Sequence, residues 1–206
     1  MIVGARYWDD RSRYFSQVNN PFEEGLRKLG FQKWLQSCGS SAGARGATAV
    51  GWDVAIRCPG GYEIPADEAL TDFLNDPNNY PTFRETAPWI DPSIEPGNRH
   101  AVYYPIAARE VFGARAQWWG AVTPARIVEQ VRAGRAVQAC IAPPGHYLTV
   151  VAYDIATEEL IYDDPWPTRL ARWNGDGFNR RFTEAELEDI VSEGVVWFPP
   201  GDGGTI

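Results

Sequence analysis

The sequence predicts an α+β fold, with mostly helical segments in the first part of the chain and most strands later. Three observations predict it. Helix-start and helix-stop signals recur at five places, four of them before residue 135. Apolar runs of strand length, 136–141, 146–154, 159–163 and 195–198, crowd the C-terminal part. A short polar turn joins 146–154 to 159–163, which reads as an antiparallel hairpin.

The first helix is expected at 21–29. Asn20-Pro21-Phe22-Glu23 offers a cap, a first-turn proline and an early glutamate, and Gly30 stops the run. Pro65 opens the next, with Ala66, Ala69, Leu70, Phe73 and Leu74 at helical spacing. Tyr104, Ala107, Ala108, Val111 and Phe112 form a third stripe, closed by Gly113. Thr123-Pro124 starts a fourth, carrying Ile127, Val128 and Val131 and ending at Gly134. Thr183 and Glu186 make a capping box ahead of Leu187, Ile190 and Val191, with Gly194 as the stop. The interval 75–101 holds five prolines and reads as a long loop, either a wall over a site or an ordered surface insertion. Residues 199–206 read as a frayed tail.

The 206-residue length suits a single domain spanning 1–206. The net charge is −8 and no basic cluster exceeds a pair, which disfavours nucleic-acid binding. The N-terminal stretch is polar and no apolar run reaches membrane-spanning length, so a cytoplasmic protein without membrane contact is expected. Three cysteines, Cys38, Cys58 and Cys140, lack the paired spacing of a disulfide framework or zinc site, and no cofactor is expected.

Chemistry concentrates at a few residues. His146, one of two histidines, opens an otherwise apolar strand behind Gly145. The next strand ends at Asp163 and Asp164, and a hairpin sets the start of one strand beside the end of its partner. Asp164 is then placed to orient the His146 ring, with Asp163 as the competing neighbour. Upstream, Cys38 precedes a run of small residues, "GSSAGARGATAVG", that fits a helix packed closely on a sheet. A cysteine at the first turn of a helix is biased toward thiolate by the helix dipole, and a neighbouring imidazolium adds to that bias. The plain alternative is a buried structural thiol, which Cys58 and Cys140 fit better. Gly43 and Gly46 each weaken that helix by about 1 kcal/mol relative to alanine. Trp118, Trp119 and Trp166 serve either as core anchors or as cleft walls. His100 has no metal-ligand partner in the sequence and reads as a loop residue.

Three stretches together resemble the papain-like C39 peptidase superfamily, in its C39-like branch from bacteria and bacteriophages. "RYFSQVNNP" (13–21) is similar to the family's opening segment, and "SCGSSAGA" (37–44) to its nucleophile helix start. "GRAVQACIAPPGHYLTVVAYD" with "LIYDDPWP" is similar to its histidine strand and Asp-Pro-aromatic block. The blocks cover roughly a third of the chain, and 52–120 does not align. The resemblance implies a papain-like fold and a cysteine peptidase. In it Cys38 is the nucleophile, His146 the general base and then acid, Asp164 the orienting carboxylate and Gln17 the oxyanion donor. Gln32 and Gln36 lie nearer Cys38 and compete with Gln17 for that role. The substrate implied is a peptide, a protein or a peptidoglycan cross-link. Two other readings stand beside it: a binding or virion-associated structural protein on the same fold, and a transglutaminase-like acyltransferase. Oligomeric state is not legible.

Overall fold

The computed structural model describes residues 1–15, 38–57, 63–93, 100–142, 145–166 and 177–202. Its helices are α1 (Cys38–Val50), α2 (Ala66–Asn75), α3 (Tyr80–Thr86), α4 (Tyr104–Phe112), α5 (Pro124–Arg132) and α6 (Glu184–Glu188). Its strands are β1 (Ile2–Gly4), β2 (Ile56–Arg57), β3 (Glu63–Ile64), β4 (Ala116–Trp119), β5 (Ala136–Ile141), β6 (His146–Asp154), β7 (Glu159–Asp163), β8 (Arg180–Thr183) and β9 (Val191–Trp197). β2 and β3 pair as a separate two-stranded ribbon. The others form a seven-stranded antiparallel sheet in the order β4-β9-β5-β6-β7-β8, with β1 also pairing β6. The fold is α+β.

The sheet is covered on both faces, which explains why its central strands read as continuous apolar runs rather than alternating ones. Successive residues serve opposite cores. Ala136, Tyr147, Val195 and Trp197 pack with α1, α2 and α4. Val137, Ala139, Leu148, Val150, Val196 and Phe198 pack with Ile127, Val128 and Val131 of α5. All nine residues of β6 are buried.

Helix α1 is buried along its whole length, so it has no polar face to show. Its glycines are a packing requirement. A Cβ at Gly46 would lie 2.5 Å from Cδ1 of the fully buried Trp197, and one at Gly43 would lie 3.0 Å from the Tyr104 ring. Only glycine lets the helix axis approach the sheet this closely. The intrinsic cost of glycine in a helix is therefore smaller than the cost of removing it here. Gly46→Ala is expected to destabilise the protein by about 1–3 kcal/mol despite the gain in helix propensity. Urea unfolding checks this, and an unchanged or raised midpoint contradicts it.

Several sequence expectations change. The helix expected at 21–29 lies outside the described residues. The interval 75–101 is no unbroken loop: Pro77–Asn79 forms a 3₁₀ turn and α3 follows it. Pro77 and Pro81 sit at helix starts, where a missing N–H is tolerated, so the prolines mark beginnings rather than a break. The Thr183 capping box is present, but α6 ends at Glu188. Ile190 and Val191 do not continue it; β9 begins at Val191 and takes Gly194 into the sheet. The strand expected over 195–198 is thus longer at its start, because β4 and β5 pair with it on both sides. β1, β4 and β8 are too short, or too mixed in polarity, to have announced themselves.

Candidate active site

His146 begins β6, directly after Gly145, whose φ of +74° turns the chain into the strand. Its partner strand β7 ends at Asp163. One step beyond, Asp164 Oδ1 accepts a hydrogen bond from His146 Nε2 at 2.6 Å, and both side chains are wholly buried. Asp164 Oδ1 also accepts the Trp166 backbone N–H at 2.8 Å, an Asx turn through Pro165 that fixes the carboxylate's orientation. The Asp164 backbone is held as well. Its N–H donates to Gly177 O at 2.8 Å, and its carbonyl accepts the Tyr14 hydroxyl at 2.7 Å. No side chain fits at Gly177, since a Cβ there would fall 1.8 Å from that same carbonyl.

With Nε2 engaged by Asp164, the ring presents Nδ1, which makes no hydrogen bond of its own. The Cys38 thiol is the other group acting on the imidazole. Burial alone pushes the His146 pKa down. The Asp164 hydrogen bond and then the Cys38 thiol, by proximity and by charge, outweigh burial and raise it to about 9. Cys38 is the first described residue of α1 and is 7% exposed. Cys140 differs: it lies in β5 with its pKa raised, chiefly by burial. Cys58 lies outside the described residues.

Asp163 and Asp164 part company sharply. The Asp163 carboxylate faces α1 and pairs with Arg45 Nε at 2.5 Å, both side chains about 1% exposed. Its other oxygen accepts the Asn179 N–H at 2.7 Å. The same guanidinium donates through Nη2 to the carbonyls of Tyr7 and Trp8. Two further contacts tie α1 to the sheet: Gln138 Nε2 donates to Gly39 O at 3.0 Å, and Thr149 Oγ1 donates to Ala42 O at 2.7 Å. Arg45 and Gln138 escaped the sequence reading, though each carried a signal. A lone arginine in a small-residue helix and a glutamine in an apolar strand are polar groups that burial must satisfy.

The structure therefore brings Cys38, His146 and Asp164 to one end of α1 and the β6–β7 hairpin. Gln17, Gln32 and Gln36 lie outside the described residues. Trp118 and Trp119 belong to β4, with Trp118 Nε1 donating to Glu193 and Arg126 stacked over the Trp119 ring. His100 packs edge-on against Tyr103. Among the described residues no group of three or more metal-binding side chains converges, and no helix is long and apolar enough to cross a membrane.

The raised His146 pKa has a consequence for stability. A folded-state value of about 9 against an ordinary 6.5 means the charged ring stabilises the fold fully below pH ~6.5, and that contribution disappears as pH rises through about 9. With Cys38 replaced by serine, so that no thiol titrates against the ring, unfolding temperature is expected to decline across this window, and to decline less when His146→Gln is added. Parallel profiles for the two proteins contradict the assignment.

No protein-family model matches the chain, and no curated protein matches it. Among solved structures it is similar to a C39-like peptidase, so assigned provisionally, from Bacillus anthracis. The two share 12% identity with a TM-score of 0.32, over 48% of this chain and 58% of that one. The match thus spans less than two thirds of that chain. A likeness of this depth bears on neither chemistry nor substrate.

Proposed function

We propose that this chain is a cysteine-dependent amide hydrolase of papain-like architecture, acting through Cys38, His146 and Asp164. The observation that carries the reading is the wholly buried His146–Asp164 pair at 2.6 Å, with the Cys38 thiol as the other group acting on its ring. A buried imidazole that stays easily protonated is costly for a fold that needs only packing. It is what a thiolate nucleophile requires beside it.

In the proposed reaction the Cys38 thiolate attacks the carbonyl carbon of an amide. The resulting oxyanion is held by the Cys38 backbone N–H and by a glutamine, Gln17 first and Gln32 or Gln36 in its place. Each such donor contributes about 3–4 kcal/mol to the transition state. His146, as imidazolium, gives its proton to the leaving nitrogen, and the C–N bond breaks to leave a thioester. The neutral ring then takes a proton from water, hydroxide adds to the thioester, and the carboxylic acid departs as the thiolate re-forms. Asp164 holds the ring with Nδ1 toward the sulfur throughout. The substrate class is a peptide, protein or peptidoglycan amide.

The test is thiol labelling at pH 6 with iodoacetamide, read by peptide mass spectrometry. Cys38 is expected to react well ahead of Cys140, because a thiolate persists there below the ordinary thiol pKa of about 8.5. Equally slow labelling of both favours a non-catalytic binding protein instead. Capture of the acyl group by added primary amines, in preference to water, assigns the site to acyl transfer.

A further inference from the structure

Across one strand pairing from Cys140 lies a carboxylate that the proposed reaction does not use. Glu193 sits on β9 opposite Cys140 of β5, and Cys140 is opposite Tyr147 of β6, the residue after His146. The three side chains form one row across the sheet. Glu193 Oε1 accepts the Tyr147 hydroxyl at 3.1 Å and Oε2 accepts Trp118 Nε1 at 3.0 Å. Tyr104 continues the patch: its ring lies 6.2 Å from that of Tyr147, and the Cys38 charge acts on its hydroxyl. Gln138, two residues before Cys140 and on the same face of β5, donates to the carbonyl of Gly39, the residue after Cys38, so the row starts next to the N-terminal turn of α1.

Two features set this carboxylate apart. Of the other buried or half-buried acids on and beside the sheet, Asp154, Glu159, Asp163 and Asp202 are each paired with an arginine and Asp164 with His146. Glu193 meets no basic side chain among the described residues; its partners are two neutral aromatic donors. Each carboxylate oxygen has room for a second donor, and Glu193, Trp118 and Cys140 are only half-buried. A partly exposed carboxylate without a counter-charge is an arrangement that receives a cation.

We infer that Glu193, walled by Trp118 and Tyr147, is a specificity subsite for a basic side chain, lysine or arginine, of a peptide substrate. The inference rests on the proposed function above. Adjacent strands lie about 4.8 Å apart, so two strand spacings from Tyr147 to Glu193 correspond to about three residues of extended peptide. The basic residue is therefore expected two or three positions from the scissile carbonyl. The chain's net charge of −8 favours the same partners.

Two peptidyl chloromethyl ketones test this, identical except for lysine or glutamate two and three residues from the reactive group. The rate of Cys38 alkylation is read by mass spectrometry. The wild type is expected to prefer the lysine probe about five- to tenfold, with the preference shrinking as salt rises. In Glu193→Gln the preference is expected to fall to near unity, and in Glu193→Asp to survive in part, with unfolding midpoints measured on both. No preference in the wild type, or a preference unchanged in Glu193→Gln, overturns the subsite while leaving the reaction standing, provided iodoacetamide singles out Cys38. If iodoacetamide does not single out Cys38, the reaction falls and the subsite with it.

Discussion

His146→Ala is expected to slow iodoacetamide modification of Cys38 at pH 6 by roughly 30- to 100-fold. The size follows from the ionic state of the sulfur. An ordinary thiol with a pKa near 8.5 is only about 0.3% thiolate at pH 6, whereas a thiolate held beside an imidazolium is largely ionised. Part of the difference is returned, because a more basic thiolate is intrinsically the better nucleophile. The pH profile separates this from a change in access. Wild-type labelling should stay nearly flat through neutral pH, while the variant should rise tenfold per pH unit toward an ordinary thiol titration. Amide hydrolysis in the wild type should fail above about pH 9, where His146 loses its proton, although labelling persists there. A variant that labels like the wild type at pH 6 removes the imidazole from the chemistry.

Arg45→Met is expected to cost about 3–5 kcal/mol of stability, because it strands the Asp163 carboxylate in the core. Asp163 and Arg45 are each about 1% exposed, and their contact spans 118 residues of sequence. The guanidinium also satisfies the carbonyls of Tyr7 and Trp8, so three segments lose their common anchor. The double variant Arg45→Met, Asp163→Leu removes both charges and should recover much of the loss, since a matched apolar pair avoids the desolvation that the ion pair carries. Urea unfolding of the four proteins forms a double-mutant cycle. Additive losses in the double variant would mean that the two charges do not stabilise each other. The pair also anchors the residue next to Asp164, so Cys38 labelling should slow in Arg45→Met and recover less than stability does in the double variant.

Local signals carried the described helices whose caps they mark. Thr123-Pro124 and Gly113 sit at the cap positions their chemistry dictates, and the Gly113 φ of +64° is a left-handed stop that glycine adopts without strain. Those signals act over one turn and need no partner. α6 is shorter than its spacing predicts for the converse reason: Ile190 and Val191 fit a helical stripe and a strand equally well. The neighbouring strands β4 and β5, distant in sequence, decided for the strand. β1 joined the sheet through Ile2–Gly4 against Asp154–Ala152, a pairing across the whole domain that three residues cannot encode alone.

What the sequence by itself determined is the hairpin and its cargo: an imidazole at the head of one buried strand, a carboxylate pair at the foot of the next, and a thiol leading a helix of small residues. These follow from periodicity, capping and turn length, all of them local. Which aspartate meets the imidazole, only the tertiary structure decided. Successive strand residues face opposite ways, so one step of register exchanges them, and a bulge at Val151 shifts the β6–β7 pairing by one. Asp163 thereby turns to the helix and is neutralised by Arg45, while Asp164, just past the strand, turns to His146. The physical reason is that a buried charge must find its counter-charge, and the packing of α1 on the sheet determines where each one lies.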